Sequence, residues 1–362
     1  MNKEIITNKQ MIILIIMFLA GTTALIIPGM DGKEDFWISI IISILMTIPV
    51  VIIISRFNNK LPGKNLFDVI EICFGKYIGK IIMIAYAYYF LEEGTLVLIN
   101  FGQFVNTAFL NYTPNIVIMI SIMLLSVWTV KSGIKVLGKW AEFMFIVFLF
   151  FIISSVLFAI PRMDINNIRP VFYNGINPIL KGAFMAFTFP FGEITTFSMV
   201  FTKFKEKKSS LKVYLTGLLF GGGIMLIIST TTIFVLGANR SSMLFHPTFT
   251  AISRINVFDT IQRIEVVIST VYALGAFIKI SIYFFATSKC FAKIFNIEDY
   301  KTLVVPIGLF MIILSNILFI GVLDYWDYNA GIWPYYAIIF EMILPIIIFV
   351  ILQIRSVKFM TN

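Results

Sequence analysis

Charge is what this sequence most lacks. Only 13% of its 362 residues are charged, and 59% are hydrophobic. A soluble domain carries about 25% charged residues. The chain therefore has too little charge to wet a globular surface. A soluble enzyme and a disordered protein are excluded, and a polytopic membrane protein is expected. Histidine is nearly absent, with His246 standing alone. A Ser-His-Asp centre within the membrane or a His-rich metal site is close to excluded on that ground, so neither a catalytic centre nor a metal or other cofactor is expected. Cysteine is scarce too: Cys73 and Cys290 form no CxxC and no pairable framework. Alternating strand patterns are missing, which removes a β-barrel from consideration.

What is present is a series of long apolar runs. A spanning helix needs about 20 mostly apolar residues. Ten charge-poor windows meet that need: 10–29, 37–55, 81–109, 114–130, 141–160, 179–201, 213–236, 264–287, 302–322 and 333–353. They make one all-α membrane domain over residues 1–362. The first run follows Lys3 and Lys9 as a signal peptide would. It has the length of a true span and no small-x-small cleavage site, so retention is expected.

Lys and Arg orient the bundle. With the N-terminus cytoplasmic, twenty of the 28 fall in inside segments and six outside, while Lys181 and Lys279 lie within spans. The C-terminus is then cytoplasmic as well. This bias accounts for the net charge of +9 without a nucleic-acid partner; the bilayer is the partner that it implies. Residues 66–80 read as an interfacial amphipathic helix on the cytoplasmic side.

Ten helices divide into two sets of five. An odd number per set makes the second set enter from the opposite side, the arithmetic of inverted-repeat transporter folds. In such folds the first helix of each half is broken at mid-membrane, around the substrate. The first span has Ala20-Gly21-Thr22-Thr23-Ala24 at its middle and Pro28-Gly29 at its outer end. The sixth has Thr188-Phe189-Pro190-Phe191-Gly192-Glu193. Pro190 lacks an N–H and clashes with the preceding turn. Glu193 puts a carboxylate at mid-bilayer, where a charged residue costs about 2.5–3.5 kcal/mol on insertion scales. Gly and Pro are common packing features of membrane helices, so either break alone is weak. Both together, beside an acid, point to a site. Amides freed at such breaks suit an anionic group such as a carboxylate.

Other polar residues converge there. In the third span Tyr86, Tyr89 and Glu93 share a face, with Glu92 beside them. In the eighth, Tyr272, Lys279 and Tyr283 share one. An intramembrane lysine needs a counter-charge, and Glu93, Glu92 and Glu193 are the candidates. The pair is either a structural lock or part of a ligand cavity. Glu142 and Glu341 sit nearer helix ends and read as interfacial or structural. Gly217 and Gly221 give small-xxx-small spacing and read as helix packing. His246-Pro247 reads as a loop anchor.

In this order these residues resemble the B subunit of spore germinant receptors, a permease-like family related to amino acid–polyamine–organocation transporters. The resemblance is carried by Gln10, Gly21 and Pro28-Gly29; by Asp35-Phe36-Trp37; by Asn65-Leu66 and Gly75-Lys76-Tyr77-Ile78-Gly79-Lys80; by Thr113-Pro114; and by Ile165-Asn166-Asn167-Ile168-Arg169-Pro170 with Pro178. Pro190-Phe191-Gly192-Glu193 and the loop from His246-Pro247-Thr248 to Ile261-Gln262-Arg263-Ile264-Glu265 complete it. It runs nearly the whole chain. It implies a ten-helix, 5+5 fold of the amino acid transporter type, in the inner membrane of the spore. It implies a subunit that recognises a small germinant, often an amino acid, together with A and C partner subunits. Carried over, the pocket maps to Gly21, Thr22, Tyr89, Glu93, Phe191, Gly192, Lys279 and Tyr283; the break chemistry adds Thr23 and Glu193. Such pockets commonly have smaller or neutral side chains where this chain has Glu93 and Lys279, so a charged or strongly polar germinant fits. The competing reading is an autonomous proton-coupled amino acid transporter with Glu193 or Lys279 as the proton carrier. An ion pore and a membrane enzyme are the remaining classes, and the residue chemistry speaks against the enzyme.

Overall fold

The computed structural model describes residues 6–202, 204, 209–255 and 263–360, with side chains to residue 355. Lys3, Lys203, Lys205, Lys207 and Lys208 of the charge count, Ile261 and Gln262 of the loop motif, and the side chain of Lys358 lie outside the described residues. Among the described residues all regular structure is helical: α1 (Asn8–Thr22), α2 (Phe36–Lys60), α3 (Leu66–Ala108), α4 (Asn115–Ser132), α5 (Ile134–Ala159), α6 (Ile176–Ala186), α7 (Phe197–Val200), α8 (Ser209–Leu236), α9 (Ala238–Ser241), α10 (Pro247–Ser253), α11 (Glu265–Phe295), α12 (Lys301–Ile317), α13 (Val322–Gly331), α14 (Trp333–Ile338) and α15 (Leu344–Met360). Seven helical stretches among the described residues are long and apolar enough to cross a membrane, or eight if α12 and α13 form one span bent by 100°. The chain is an integral, multi-pass membrane protein.

Helix boundaries follow local chemistry. Thr7 and Gln10 form a capping box at the start of α1, and Asn65 and Asp68 do the same for α3. The expected interfacial helix 66–80 and third span are one 43-residue element, interrupted only at Gly75, whose φ is 76°. Gly29, with φ 76°, turns the chain after α1 towards α2. α13 occupies what reads in the sequence as a polar outer loop, and α14 and α15 are separated by a wider helical turn at Ile339–Ile343.

The core is built on α1 and α11, and α3 packs along α11. Gly217 and Gly221 of α8 face Ile15 and Leu19 of α1, so this pair packs helices. Gly21 of α1 and Gly275 of α11 touch backbone to backbone: a Cβ on either would collide with the other's Cα. Glu142 takes an ion pair from Lys9 at 2.5 Å and a hydrogen bond from Gln10 Nε2 at 3.2 Å, tying α5 to the start of α1. His246 precedes α10 with its ring edge-on to Phe104, 5.1 Å between centroids.

Two predictions follow from this packing. Overfilling a packed core costs about 1–3 kcal/mol, and rigid backbone at Gly275 cannot yield. Gly21→Ala is expected to lower the melting temperature and the yield of folded protein, with Gly275→Ala acting alike; unchanged melting would show that the two helices separate easily. Burial holds the His246 imidazole at about 4, below its usual value of about 6.5. The unfolded chain then takes up the proton first, so this contribution to stability is whole above pH ~6.5 and is lost as pH falls towards 4. In detergent, His246→Phe is expected to lose less stability than the wild type over that interval.

Candidate functional site

Two interruptions meet in the middle of the bundle. α1 stops at Thr22, where the Thr23 hydroxyl turns back to donate to the carbonyls of Leu19 at 2.8 Å and Ala20 at 3.3 Å. That back-bonding competes with continuation of the helix. α6 stops at Ala186. Phe187–Phe191 follow in a wider turn, inside which Phe189 is extended (φ −146°, ψ 109°) just before Pro190. The residue before a proline is pushed towards extended backbone, so this break is built into the local sequence. Gly192–Thr196 form a tighter 3-10 turn, and α7 resumes the helix.

One lysine joins both interruptions. Lys279 of α11 is fully buried and forms an ion pair with fully buried Glu193. Its ammonium donates to Thr22 Oγ1 at 3.3 Å, lies 4.2 Å from the centre of the Phe189 ring and 5.1 Å from that of Phe18. Two aromatic faces and a carboxylate replace its water. Of the three counter-charge candidates, Glu193 is therefore the one that Lys279 takes. Glu92 instead accepts a hydrogen bond from Tyr328 at 2.6 Å.

Two further acids stand close by. Glu341 lies fully buried in the wide turn between α14 and α15, so of the two readings, interfacial or structural, its place fits the structural one. Tyr89 donates to it at 2.9 Å while stacking between Phe340 and Trp333, at 4.7 and 5.9 Å. Glu93 is 1% exposed, and its Oε1 has no hydrogen-bond partner; Glu193 Oε1, Glu341 Oε2 and the Tyr283 hydroxyl also lack one.

Above the lysine is a cavity of about 220 Å³. Thr22, Glu93, Asn100, Phe189, Tyr325 and Trp333 line it, and Asp31, paired with Lys181 at 2.7 Å, stands at its edge. Phe189 has one face towards Lys279 and also borders the cavity.

The residues singled out in the sequence divide accordingly. Thr22 and Glu93 border the cavity. Glu193 and Lys279 lie behind Phe189, engaged with each other. Gly21 is spent on the contact with Gly275, and Thr23 on ending α1. Tyr89 serves Glu341. Gly192 lies against the Glu341 carboxyl, whose carbon is 2.8 Å from where a Cβ would sit. Phe191 is buried towards Gly222 of α8, and Tyr283 packs on Phe18 with ring centres 5.3 Å apart. A carboxylate seat at Gly21–Thr23 has the wrong polarity: the helix end there is a C-terminal one, offering carbonyl oxygens rather than amides. Asn100, Tyr325 and Trp333 line the cavity and lie outside the residues singled out in the sequence. Asn100 had a signal, seven residues and two helical turns beyond Glu93. Tyr325 had none, because α13 reads as loop.

A family model described as "Spore germination protein", the spore permeases, matches residues 5–318. The chain belongs to this family. Spore germination protein KB of Bacillus subtilis (strain 168) is 26% identical over 355 residues, covering 97% of this chain and 95% of that protein. The putative spore germination protein YfkT of the same organism is 23% identical over 330 residues, covering 90% and 89%. Among solved structures, Mhp1, a nucleobase-cation-symport-1 family transporter in a closed conformation with bromovinylhydantoin bound, superposes with a TM-score of 0.61. It is 14% identical and covers 90% of this chain and 77% of that one, so the fold is that of a transporter.

Removing one partner of a buried ion pair strands the other and costs about 3–5 kcal/mol, whereas replacing both by apolar or neutral groups is often tolerated. Lys279→Ala is thus expected to deplete the folded protein. The double variant Lys279→Met with Glu193→Gln should restore much of it, as read by melting temperature and membrane abundance. A stable Lys279→Ala protein would argue against a structural lock.

Proposed function

We propose that this chain is the permease-like subunit of a spore germinant receptor and that its small germinant, an amino acid or similar compound, occupies the cavity between the two helix breaks. The observation that carries this reading is the cavity itself. It lies where α1 and the α6–α7 segment are both interrupted, and it is bordered by the acid Glu93. Membership of the spore germination family and the transporter fold support the assignment. The reading includes ten crossings in two inverted sets of five, with the first helix of each set broken and the third, α3 and α11, supplying Glu93 and Lys279. It includes both termini in the cytoplasm, the inner membrane of the spore as location, and A and C subunits as partners. Recognition requires no covalent chemistry. Binding acts by favouring one arrangement of the bundle, which demands different affinities for the two arrangements.

A second reading is kept alive by the unpartnered carboxyl oxygens of Glu193 and Glu341: proton-coupled amino acid uptake by the chain alone. Uptake by vesicles containing only this chain separates the two.

Ala330 lines the cavity at an exposed position, so filling that space leaves the core intact. Ala330→Trp is expected to weaken the germination response of spores to nutrients at least 10-fold at unchanged protein level. A normal response would move the ligand elsewhere.

A further inference from the structure

We infer that the cavity recognises its ligand through a protonated amine, which docks on Glu93. This rests on the cavity being the ligand site and specifies the chemistry that it selects.

Three independent features of the wall agree in sign. The first is the inventory of charge. The acids Glu93 and Asp31 are both among the residues that line the cavity, and no lysine or arginine is among them. The lysine nearest to its floor, Lys279, is sealed off: it is fully buried, engaged by Glu193, and covered by the ring of Phe189. Lys181 is at the edge and already holds Asp31. Among the described residues, a ligand carboxylate finds no free cation in this wall.

The second feature is the direction of the broken backbone. Helices α1 and α6 both end towards the middle of the bundle, at Thr22 and Ala186. Each presents a C-terminal end, whose partial charge is negative and favours cations. The opposite halves, which would present amides, are not regular helices: residues 23–29 are irregular after α1, and only a 3-10 turn and the four residues of α7 follow the second break.

The third is Glu93 itself. Its side chain borders the cavity, while its Oε1 is turned inwards, where the carboxyl stands beside that of Glu193. An ammonium group in the cavity meets this carboxyl with a charge-assisted donor. The rings of Phe189, Tyr325, Trp326 and Trp333 surround the remaining space, and aromatic faces favour a cation over an anion. Asn100, two turns along the same face of α3, is in the wall to hold a further polar group of the ligand.

The test uses matched compounds that separate the two ends of an amino acid. Purified full-length chain in nanodiscs is melted with a panel of amino acid amides, which keep the ammonium and lack the carboxylate. N-acetyl amino acids, which keep the carboxylate and lack the ammonium, form the second panel, and the free amino acids the third. At least one amide is expected to raise the melting temperature, with the N-acetyl counterpart inert. Its apparent affinity should fall at least 10-fold in Glu93→Gln and in Ala330→Trp. Glu93→Gln keeps the shape of the side chain, and its own melting curve without ligand reports whether it folds; Glu93→Asp should retain part of the affinity. If N-acetyl compounds bind and lose affinity in Ala330→Trp but not in Glu93→Gln, the cavity remains the ligand site and the amine assignment is overturned. If amides bind with the same affinity in Glu93→Gln, the assignment to Glu93 is overturned. If no compound of the three panels shifts the wild type, both this inference and the cavity reading fall.

Discussion

The bond between Lys279 and Glu193 is the constraint on which the middle of this protein depends. A continuous membrane helix satisfies its own backbone, and an interrupted one must be held by its neighbours. Here two interruptions lie side by side, and a single ammonium group on α11 reaches both, through Thr22 and through Glu193 and Phe189. α11 is itself fixed to α1 one turn earlier, where Gly275 meets Gly21. The contact between glycines sets how near the two helices run, and that nearness lets a lysine of ordinary length span both breaks. The polar lock and the small-residue packing are thus one device: the second sets the distance that the first requires.

Around this lock the bundle collects more acid than base. Glu193 is matched, whereas Glu93 and Glu341 have only hydrogen-bonding neighbours or none. In lipid such groups are costly and are kept where the interior needs them. Glu341 has Tyr89, clamped between two aromatic rings, and lies against Gly192, so it acts on the geometry of the second break. Glu93 alone among the three borders open space. The division of labour among these carboxyls follows from their neighbours rather than from their own chemistry.

Much of this was legible in the residues because it is local. Pro190 with the extended residue before it, Glu193 beside it, and the threonines after Gly21 all act over a few positions of chain, so the breaks could be read from the string. Lys279 announced that it needed an acid, but three acids answered, and choosing among them is a matter of distance between helices that no spacing encodes. The sequence also placed Gly21 in a pocket, since a glycine at mid-span serves equally as a weak point or as a point of close approach, and only the partner helix decides. Glu341 stands two residues from the middle of the run 333–353, so its depth was legible in the residues, and the structure buries it fully. α13 was invisible because its Asp, Asn and Tyr residues have the composition of a loop; it becomes a helix by packing its aromatic side against α3, and it carries Tyr325 and Trp326 to the cavity.

Phe189 has a consequence for how the interior is insulated. Its ring, held by an extended residue rather than by a rigid helical turn, stands with Thr22 and Glu93 between a desolvated ion pair and a space wide enough for several water molecules. Rotation about a single side-chain bond would replace that hydrocarbon screen with solvent and weaken the attraction between the two charges through the change in local dielectric. The same ring therefore faces both what fills the cavity and the charge pair that holds the two broken helices.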